Sequence, residues 1–124
     1  MEILEREGRR AAVKVAREEL VLLEFEMEPK TDGAGLHFHR RHVDAFYVLK
    51  GELELTVSGE TVHPQQGELV HAAPGVVHSF KNASGNRVRF LNLHTPGMRF
   101  DEYMRRMDAG EDPDPEDYDV WEVE

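Results

Sequence analysis

The most informative part of this sequence is residues 35–51, which read GLHFHRRHVDAFYVLKG. Successive side chains of an extended strand point to opposite faces, so residues two positions apart share a face. His37 and His39 therefore project together, while their direct neighbours point the other way. Two imidazoles on one face make half of a metal site, and Asp44 could supply a third position from the next strand.

A second stretch, residues 67–82, reads GELVHAAPGVVHSFKN and offers a fourth candidate ligand, His78. Three imidazoles and one carboxylate suit a divalent transition metal, and the set does not discriminate among Fe, Mn, Ni, Cu and Zn. We therefore predict a metal site formed by His37, His39, Asp44 and His78. The alternative is a group of polar side chains in a barrel mouth that binds no metal. For Asp44 the alternative is a carboxylate that orients one of the imidazoles.

Short alternating segments fill most of the remaining chain. In residues 20–28 apolar side chains occupy one face and glutamates the other, and residues 52–57 show the same alternation. This pattern is typical of strands with one buried face. Glycine- and proline-bearing turns separate the segments, and no helical pattern falls between them. The sequence thus predicts an all-β sandwich or barrel and disfavours a parallel sheet with crossover helices.

The two ends of the chain differ from this middle part. Residues 1–10 carry mixed charges and could form a short helix or a loose arm. After residue 97 apolar side chains recur at helical spacing, which predicts a helix over about 98–109 packed against the outside of the barrel. The domain would then cover 1–110, with its core at about 11–95. Residues 111–124 form an acidic, proline-bearing tail, either disordered or draped over the body with Trp121 and Val123 as anchors.

Composition excludes several classes of partner. A chain of 124 residues is long enough for a single domain. Its net charge of −10 arises mainly in the tail, whose eight acids leave a net of −2 for residues 1–110. Neither part has the basic surface that nucleic acids or anionic membranes require. The longest aliphatic run, residues 20–23, is far below the roughly 18 residues of a membrane span, and no export signal is evident, so we expect a cytoplasmic protein.

The two stretches resemble the two sequence motifs of the cupin family. The first motif, His-x-His followed by a carboxylate and a glycine, corresponds to His37, His39, Asp44 and Gly51. The second has its spacing matched by Gly67, Gly75, His78 and Asn82. There are two departures: Asp44 stands where the family usually has Glu, and Ala73 where it usually has Pro. Because Asp is one methylene shorter, it could bind a metal directly, bind through water, or leave three histidines as the only ligands.

The resemblance implies a small double-stranded β-helix, the jelly-roll barrel of cupins, with a divalent metal near the barrel axis. The implied ligands are the same four residues, His37, His39, Asp44 and His78. Four protein ligands leave two octahedral positions for a substrate or O₂. The resemblance also implies a homodimer, which exposed strand edges favour independently.

Three functions are compatible with these observations. The first is a metal-dependent dioxygenase or isomerase acting on a small oxygenated, enolisable molecule, with the metal as a Lewis acid. The second is a non-catalytic sensor or carrier of a small ligand. The third is a metal-free epimerase of the cupin type, which uses a His–Asp pair for proton transfer.

The sequence also suggests positions for several side chains outside the four candidate ligands. Tyr47 is a candidate proton donor, although the aromatic residues around it are expected in the core. We interpret His42 as a loop residue that could reach back toward the site, and His63 as exposed. His71 could face either the cavity or solvent, and Asn92 with His94 could line the mouth.

Overall fold

The computed structural model describes all 124 residues and contains twelve β-strands, one α-helix and one 3-10 helix. The strands are β1 (Glu2–Arg6), β2 (Arg9–Ala16), β3 (Val21–Met27), β4 (Thr31–Asp32), β5 (His37–Phe38), β6 (Val43–Lys50), β7 (Glu54–Val57), β8 (Glu60–Val62), β9 (Leu69–Ala72), β10 (His78–Asn82), β11 (Val88–Thr95) and β12 (Trp121–Glu122). The α-helix, α1, covers Phe100–Asp108, and the 3-10 helix covers Pro115–Tyr118.

The strands form two antiparallel sheets. One has the order β1-β2-β3-β11-β6-β9, and the other has the order β12-β5-β10-β7-β8, with β4 paired to β10. The apolar core includes side chains from both sheets, and the rings of Phe25 and Phe90 stack within it at 5.2 Å. The predicted all-β architecture is confirmed.

Alternation explains why these segments are strands. In β3 the four apolar side chains that share a face are buried, and the glutamates between them point outward, as the sequence predicted. Gly51 ends β6 with a φ of +85°, and a Cβ atom there would lie 2.8 Å from the carbonyl oxygen of Arg87. This turn therefore requires glycine, because no other residue avoids both the strained backbone and the clash.

The N-terminal residues form a β-hairpin, so the expectation of a short helix or loose arm for residues 1–10 was wrong. β1 pairs with β2 from Glu2 opposite Val13 to Arg6 opposite Arg9, and Gly8 adopts a φ of +81° in the turn. Leu4 is the one residue of β1 that is buried, and it joins the core. A single buried side chain is too little for a periodic signal, and pairing with β2 specifies the strand.

The C-terminal helix is present, but the prediction that it packs on the outside of the barrel was wrong. Met104 of α1 belongs to the same core as Phe25 and Met27, and Phe100 stacks on His94 with 3.7 Å between ring centroids. The helix therefore packs against inward-facing side chains. Neither helix of this chain has the length and apolar character needed to span a bilayer.

Residues 111–124, here called the C-terminal segment, are draped over the body. Trp121 and Glu122 of β12 pair with Phe38 and His37 of β5. Tyr118, at the end of the 3-10 helix, is buried. Of the two alternatives left open by the acidic composition, the structure shows the ordered one.

Candidate metal centre

Four candidate ligands converge from two sheets and a loop. His37 lies on β5 and His78 begins β10, and the two residues are direct partners in the β5–β10 pairing. Asp44 lies at the start of β6 in the other sheet, and His39 lies in the loop that leads to it. All four residues are buried. We call this group the His–Asp cluster.

The cluster is centred on one carboxylate oxygen. Asp44 Oδ2 lies 2.8 Å from His78 Nε2, 3.1 Å from His39 Nε2 and 4.0 Å from His37 Nε2. The four ligand atoms all lie within 4.8 Å of one another. The structure thus brings together all four residues that the sequence singled out.

Each imidazole of the cluster is oriented by a backbone carbonyl. His37 Nδ1–H donates to Gly35 O at 2.7 Å, and His78 Nδ1–H donates to Val76 O at 2.9 Å. His39 Nδ1–H donates to Asp119 O at 2.8 Å. Carbonyl oxygens only accept hydrogen bonds, so these partners assign the tautomer of each neutral ring and leave Nε2 with a free lone pair.

The arrangement fits a divalent metal. Neutral Nε2 atoms and an ionised carboxylate all present lone pairs, and such atoms repel at 2.8 to 3.1 Å unless a proton or a metal ion lies between them. Imidazole nitrogen with carboxylate oxygen is a common donor set for first-row divalent metals. Orientation of ligating rings through Nδ1–H hydrogen bonds is also usual in protein metal sites.

Burial and neighbouring groups shift the pKa values of the cluster residues. Burial, reinforced by the neighbouring His78, lowers the pKa of His37 to about 4. Burial by itself raises the pKa of Asp44, but His94 and the contacts with His39 and His78 outweigh it and hold that pKa well below its usual value. At neutral pH the cluster therefore contains one carboxylate and an unprotonated His37, as metal ligation requires.

The second oxygen of Asp44 has partners of its own. Asn92 Nδ2 donates to Asp44 Oδ1 at 2.7 Å, and His94 Nε2–H donates to Asn92 Oδ1 at 2.8 Å. Burial lowers the pKa of His94 to about 3, so this ring is neutral. The sequence predicts that Asn92 and His94 could line the mouth; both line the cavity and are buried beside the cluster.

A cavity of about 570 Å³ leads to the His–Asp cluster. This volume is typical of small-molecule sites. His37, Asp44 and His94 line the buried end of the cavity. Its walls are largely apolar and are built by the barrel, α1 and the C-terminal segment: Phe25, Met27, Phe80, Phe100, Tyr103, Met104, Met107, Pro113 and Val120. Its outer rim carries the charged side chains Arg6, Asp32, Glu111, Asp112 and Glu122.

Tyr47, the candidate proton donor, does not reach this cavity. The inward residues of β6 are Asp44, Phe46 and Val48, so Tyr47 points to the opposite face of the sheet. The odd separation between positions 44 and 47 already implied opposite faces. His63 and His71 are both exposed, which confirms the prediction for His63 and decides between the alternatives for His71.

Two residues beside the cluster make more contacts than their place in the sequence indicates. His42, interpreted as a loop residue, is fully enclosed and contacts both His94 and Asp119. Asp119 was not singled out at all. One weak signal existed for His42, its place between His39 and Asp44, whereas Asp119 is one of eight acids in the C-terminal segment and carries no distinguishing pattern.

Comparison with known proteins agrees with this geometry. The family model described as Cupin domain matches residues 23–94. The sequence is 27% identical over 79 residues to quercetin 2,3-dioxygenase of Bacillus subtilis, a match covering 64% of this chain and 23% of that protein. It is 39% identical over 49 residues to the HTH-type transcriptional regulator PuuR of Escherichia coli, covering 40% of this chain and 26% of that protein. The matches thus span about a quarter of the length of these relatives.

The fold is shared with solved structures. KdgF from Halomonas sp. superposes with a TM-score of 0.67 over 77% of this chain and 86% of that chain, at 17% identity. Two facing antiparallel sheets with the His–Asp cluster between them define a double-stranded β-helix with a possible metal site. The chain belongs to the cupin family.

Proposed function

We propose that this chain is a metal-dependent cupin enzyme that acts on a small, enolisable oxygenated molecule by dioxygenation or isomerisation. One observation carries the proposal: three Nε2 atoms and a carboxylate oxygen converge at the buried end of an apolar cavity of about 570 Å³. The similarity to part of quercetin 2,3-dioxygenase supports dioxygenation in particular. In that reaction both atoms of O₂ enter the substrate, so no external reductant is needed, whereas isomerisation only moves a proton.

The residues of this chain have separate tasks in the proposed reaction. His37, His39, His78 and Asp44 would hold the divalent ion, which when bound polarises a substrate oxygen as a Lewis acid. Asn92 holds the second oxygen of Asp44 and so keeps the carboxylate in place. The aromatic and methionine side chains of the walls exclude water and orient a flat, apolar substrate.

The charges favour a particular class of substrate. One carboxylate and a divalent ion give the cluster a net charge of about +1, which attracts an enolate oxygen. Four acids and Arg6 stand at the outer rim, and the other arginine of the lining, Arg9, is paired with Asp108, which disfavours substrates carrying several negative charges. We therefore propose a largely apolar molecule with neighbouring oxygens and at most one negative charge.

The test combines metal analysis with turnover. Protein purified without chelator is analysed for Fe, Mn, Ni, Cu and Zn, and each metal-loaded form is assayed with flavonols and β-diketones under air and under nitrogen. We expect about one metal per chain and metal-dependent conversion, with oxalate as a poorly bound dianionic control. Absence of both turnover and metal-dependent ligand binding across the panel would contradict the proposal. Metal below about 0.2 equivalents would favour the metal-free epimerase.

The second candidate is a small-ligand sensor without catalysis. The 39% identity to part of the regulator PuuR favours it. The same experiment separates the two candidates, because a sensor would bind a member of the panel tightly and return it unchanged.

We also propose that the protein is a homodimer. β9 is an edge strand, and its Leu69 is 56% exposed. The opposite edge, β1, is partly covered, because Arg105 of α1 forms an ion pair with Glu2 at 2.7 Å. An apolar, uncovered edge strand favours pairing with a second copy.

A further inference from the structure

Asp119 lies at the centre of the contacts between the C-terminal segment and the barrel. It follows the 3-10 helix and is only 4% exposed, unlike the other acids of the segment. Its φ of 59° lies in the left-handed region, which Asp and Asn tolerate better than most residues. In this conformation the carbonyl of Asp119 faces His39 of the His–Asp cluster, and its carboxylate faces the loop that follows His39.

The Asp119 carbonyl orients one ligand of the cluster. His37 and His78 each donate to a carbonyl two residues earlier in their own chain segment, so their orientation is local. His39 instead donates to Asp119, 80 positions away. The position of His39 Nε2 therefore depends on the C-terminal segment being in place.

The Asp119 carboxylate holds the loop between His39 and β6. Its Oδ1 accepts the backbone N–H of Arg40 at 2.9 Å, and its Oδ2 accepts that of Arg41 at 2.8 Å. His42 Nδ1–H donates to Oδ2 at 2.8 Å, and Trp121 Nε1–H donates to Oδ1 at 3.1 Å. Charge-assisted hydrogen bonds of this kind are about twice as strong as neutral ones, so the loop is firmly held.

A second route leads from Asp119 to Asp44. His42 Nε2 lies 2.8 Å from His94 Nδ1, so the two rings are in direct contact, and His94 continues through Asn92 to Asp44 Oδ1. The whole chain is buried. Two ligands of the cluster, one histidine and the carboxylate, are thus linked to the same residue of the C-terminal segment.

We propose that Asp119 is a positioning residue of the metal centre, so that the C-terminal segment and the metal ion stabilise each other. The proposal rests on the metal binding proposed above. When Asp119 is in place, His39 and the 39–42 loop are already arranged for ligation, and the metal gains affinity. By linkage, the metal must strengthen the attachment of the segment by the same factor.

The first test replaces Asp119 by Asn and compares it with Asp117→Asn. Asn tolerates the left-handed backbone but exchanges one accepting oxygen for an NH₂ group, which faces N–H donors. Asp117 lies two residues earlier on the surface, where its side chain makes no hydrogen bond, so D117N is a matched control. Because loss of an outer partner of a metal ligand typically costs 10- to 100-fold in affinity, we expect a loss of about that size for D119N and no change for D117N.

Metal affinity is measured on folded protein, and the unfolding midpoint of the metal-free forms is measured separately. A purely structural role would lower the midpoint of D119N and leave the affinity of the folded protein unchanged, which would overturn the proposal. A wild-type protein that binds no metal would overturn both this proposal and the proposed function. Wild-type binding with equal affinity in D119N would overturn this proposal alone.

The second test uses only the wild-type protein, so it does not depend on the variant folding. Hydrogen exchange is recorded with and without the metal that the protein retains. We expect the metal to slow exchange of the Arg40 and Arg41 amides and of amides in residues 118–123. No change is expected in the 83–87 turn, which joins the ends of β10 and β11 farthest from His78 and His94. Unchanged exchange in residues 118–123 on metal binding would overturn the proposal.

Discussion

His39 and Asp119 are 80 positions apart, yet His39 Nδ1–H donates to the Asp119 carbonyl at 2.8 Å. This hydrogen bond joins the ligand-bearing loop to a segment that follows the last long element of the fold. The same segment supplies walls of the cavity through Pro113 and Val120. The His–Asp cluster and the cavity therefore share one structural support.

Replacing His78 by Gln should abolish tight metal binding. His78 Nε2 lies nearest to Asp44 and its ring is held by Val76, so Gln cannot restore an imidazole nitrogen there. We expect affinity to fall by more than about 100-fold, beyond the loss typical of an outer partner. Equilibrium competition with a chromophoric chelator measures it.

His71→Gln is the matched control for this variant, because His71 is exposed and lies outside the cavity. At 100 times the dissociation constant, metal should stabilise wild-type and H71Q protein by about 2.7 kcal/mol. That corresponds to about a 10 °C rise in the melting temperature for a chain of this size. Equal rises in wild-type and H78Q protein would mean that the metal binds elsewhere.

Metal affinity should decrease as the pH falls. Burial by itself lowers the pKa of His78, but the contacts with Asp44 outweigh it and raise that pKa above the ordinary value of 6.5. A metal must displace this proton, so the apparent affinity should drop by up to about tenfold per pH unit below the pKa of His78 and level off above it. His37, with a pKa of about 4, stays unprotonated in this range.

Chelator competition between pH 5.5 and 8.5, corrected for protonation of the chelator, measures this dependence. An affinity that is constant over the whole range would show that no imidazole proton is displaced.

Replacing Asp108 by Asn should destabilise the protein strongly. Arg9 forms two hydrogen bonds with the Asp108 carboxylate, at 2.7 and 3.0 Å, and the two side chains are 4% and 7% exposed. Removing one partner leaves a buried charge unpaired, which costs about 3–5 kcal/mol. Urea denaturation of the metal-free protein gives the free energy of unfolding.

Glu5→Gln is the control, because Glu5 pairs with Arg10 on the surface, where both side chains are more than half exposed. Such pairs contribute about 0–1 kcal/mol. If D108N and E5Q lowered the free energy of unfolding by similar amounts, the buried ion pair between β2 and α1 would stabilise the fold no more than a surface pair.

Replacing Leu69 by Lys should convert the proposed dimer into a monomer. A charge on the β9 edge opposes strand pairing between copies. Ile3→Lys, on the β1 edge of the same sheet, should leave the dimer intact. Light scattering coupled to size exclusion gives the mass of each variant, and a wild-type mass near the 14.2 kDa of one chain would refute dimerisation.

Local sequence determined the strands and the ligand set. The period of two that pairs His37 with His39 is a property of any extended strand, and the alternation of β3 is equally local. The spacing around His78 completed the set of ligands. The helix followed from its 3.6-residue period, because one face of α1 must be apolar wherever it packs.

Only the tertiary structure decided which acid of the C-terminal segment and which additional histidines lie beside the His–Asp cluster. All eight acids of the C-terminal segment look alike in sequence, and Asp119 differs because the 3-10 helix turns it inward toward His39. β1 likewise becomes a strand because it pairs with β2. The helix α1 packs on inward-facing side chains because their apolar surface would otherwise be exposed to water. Contacts between residues far apart in the chain leave no periodic pattern in the sequence, so only the folded structure shows them.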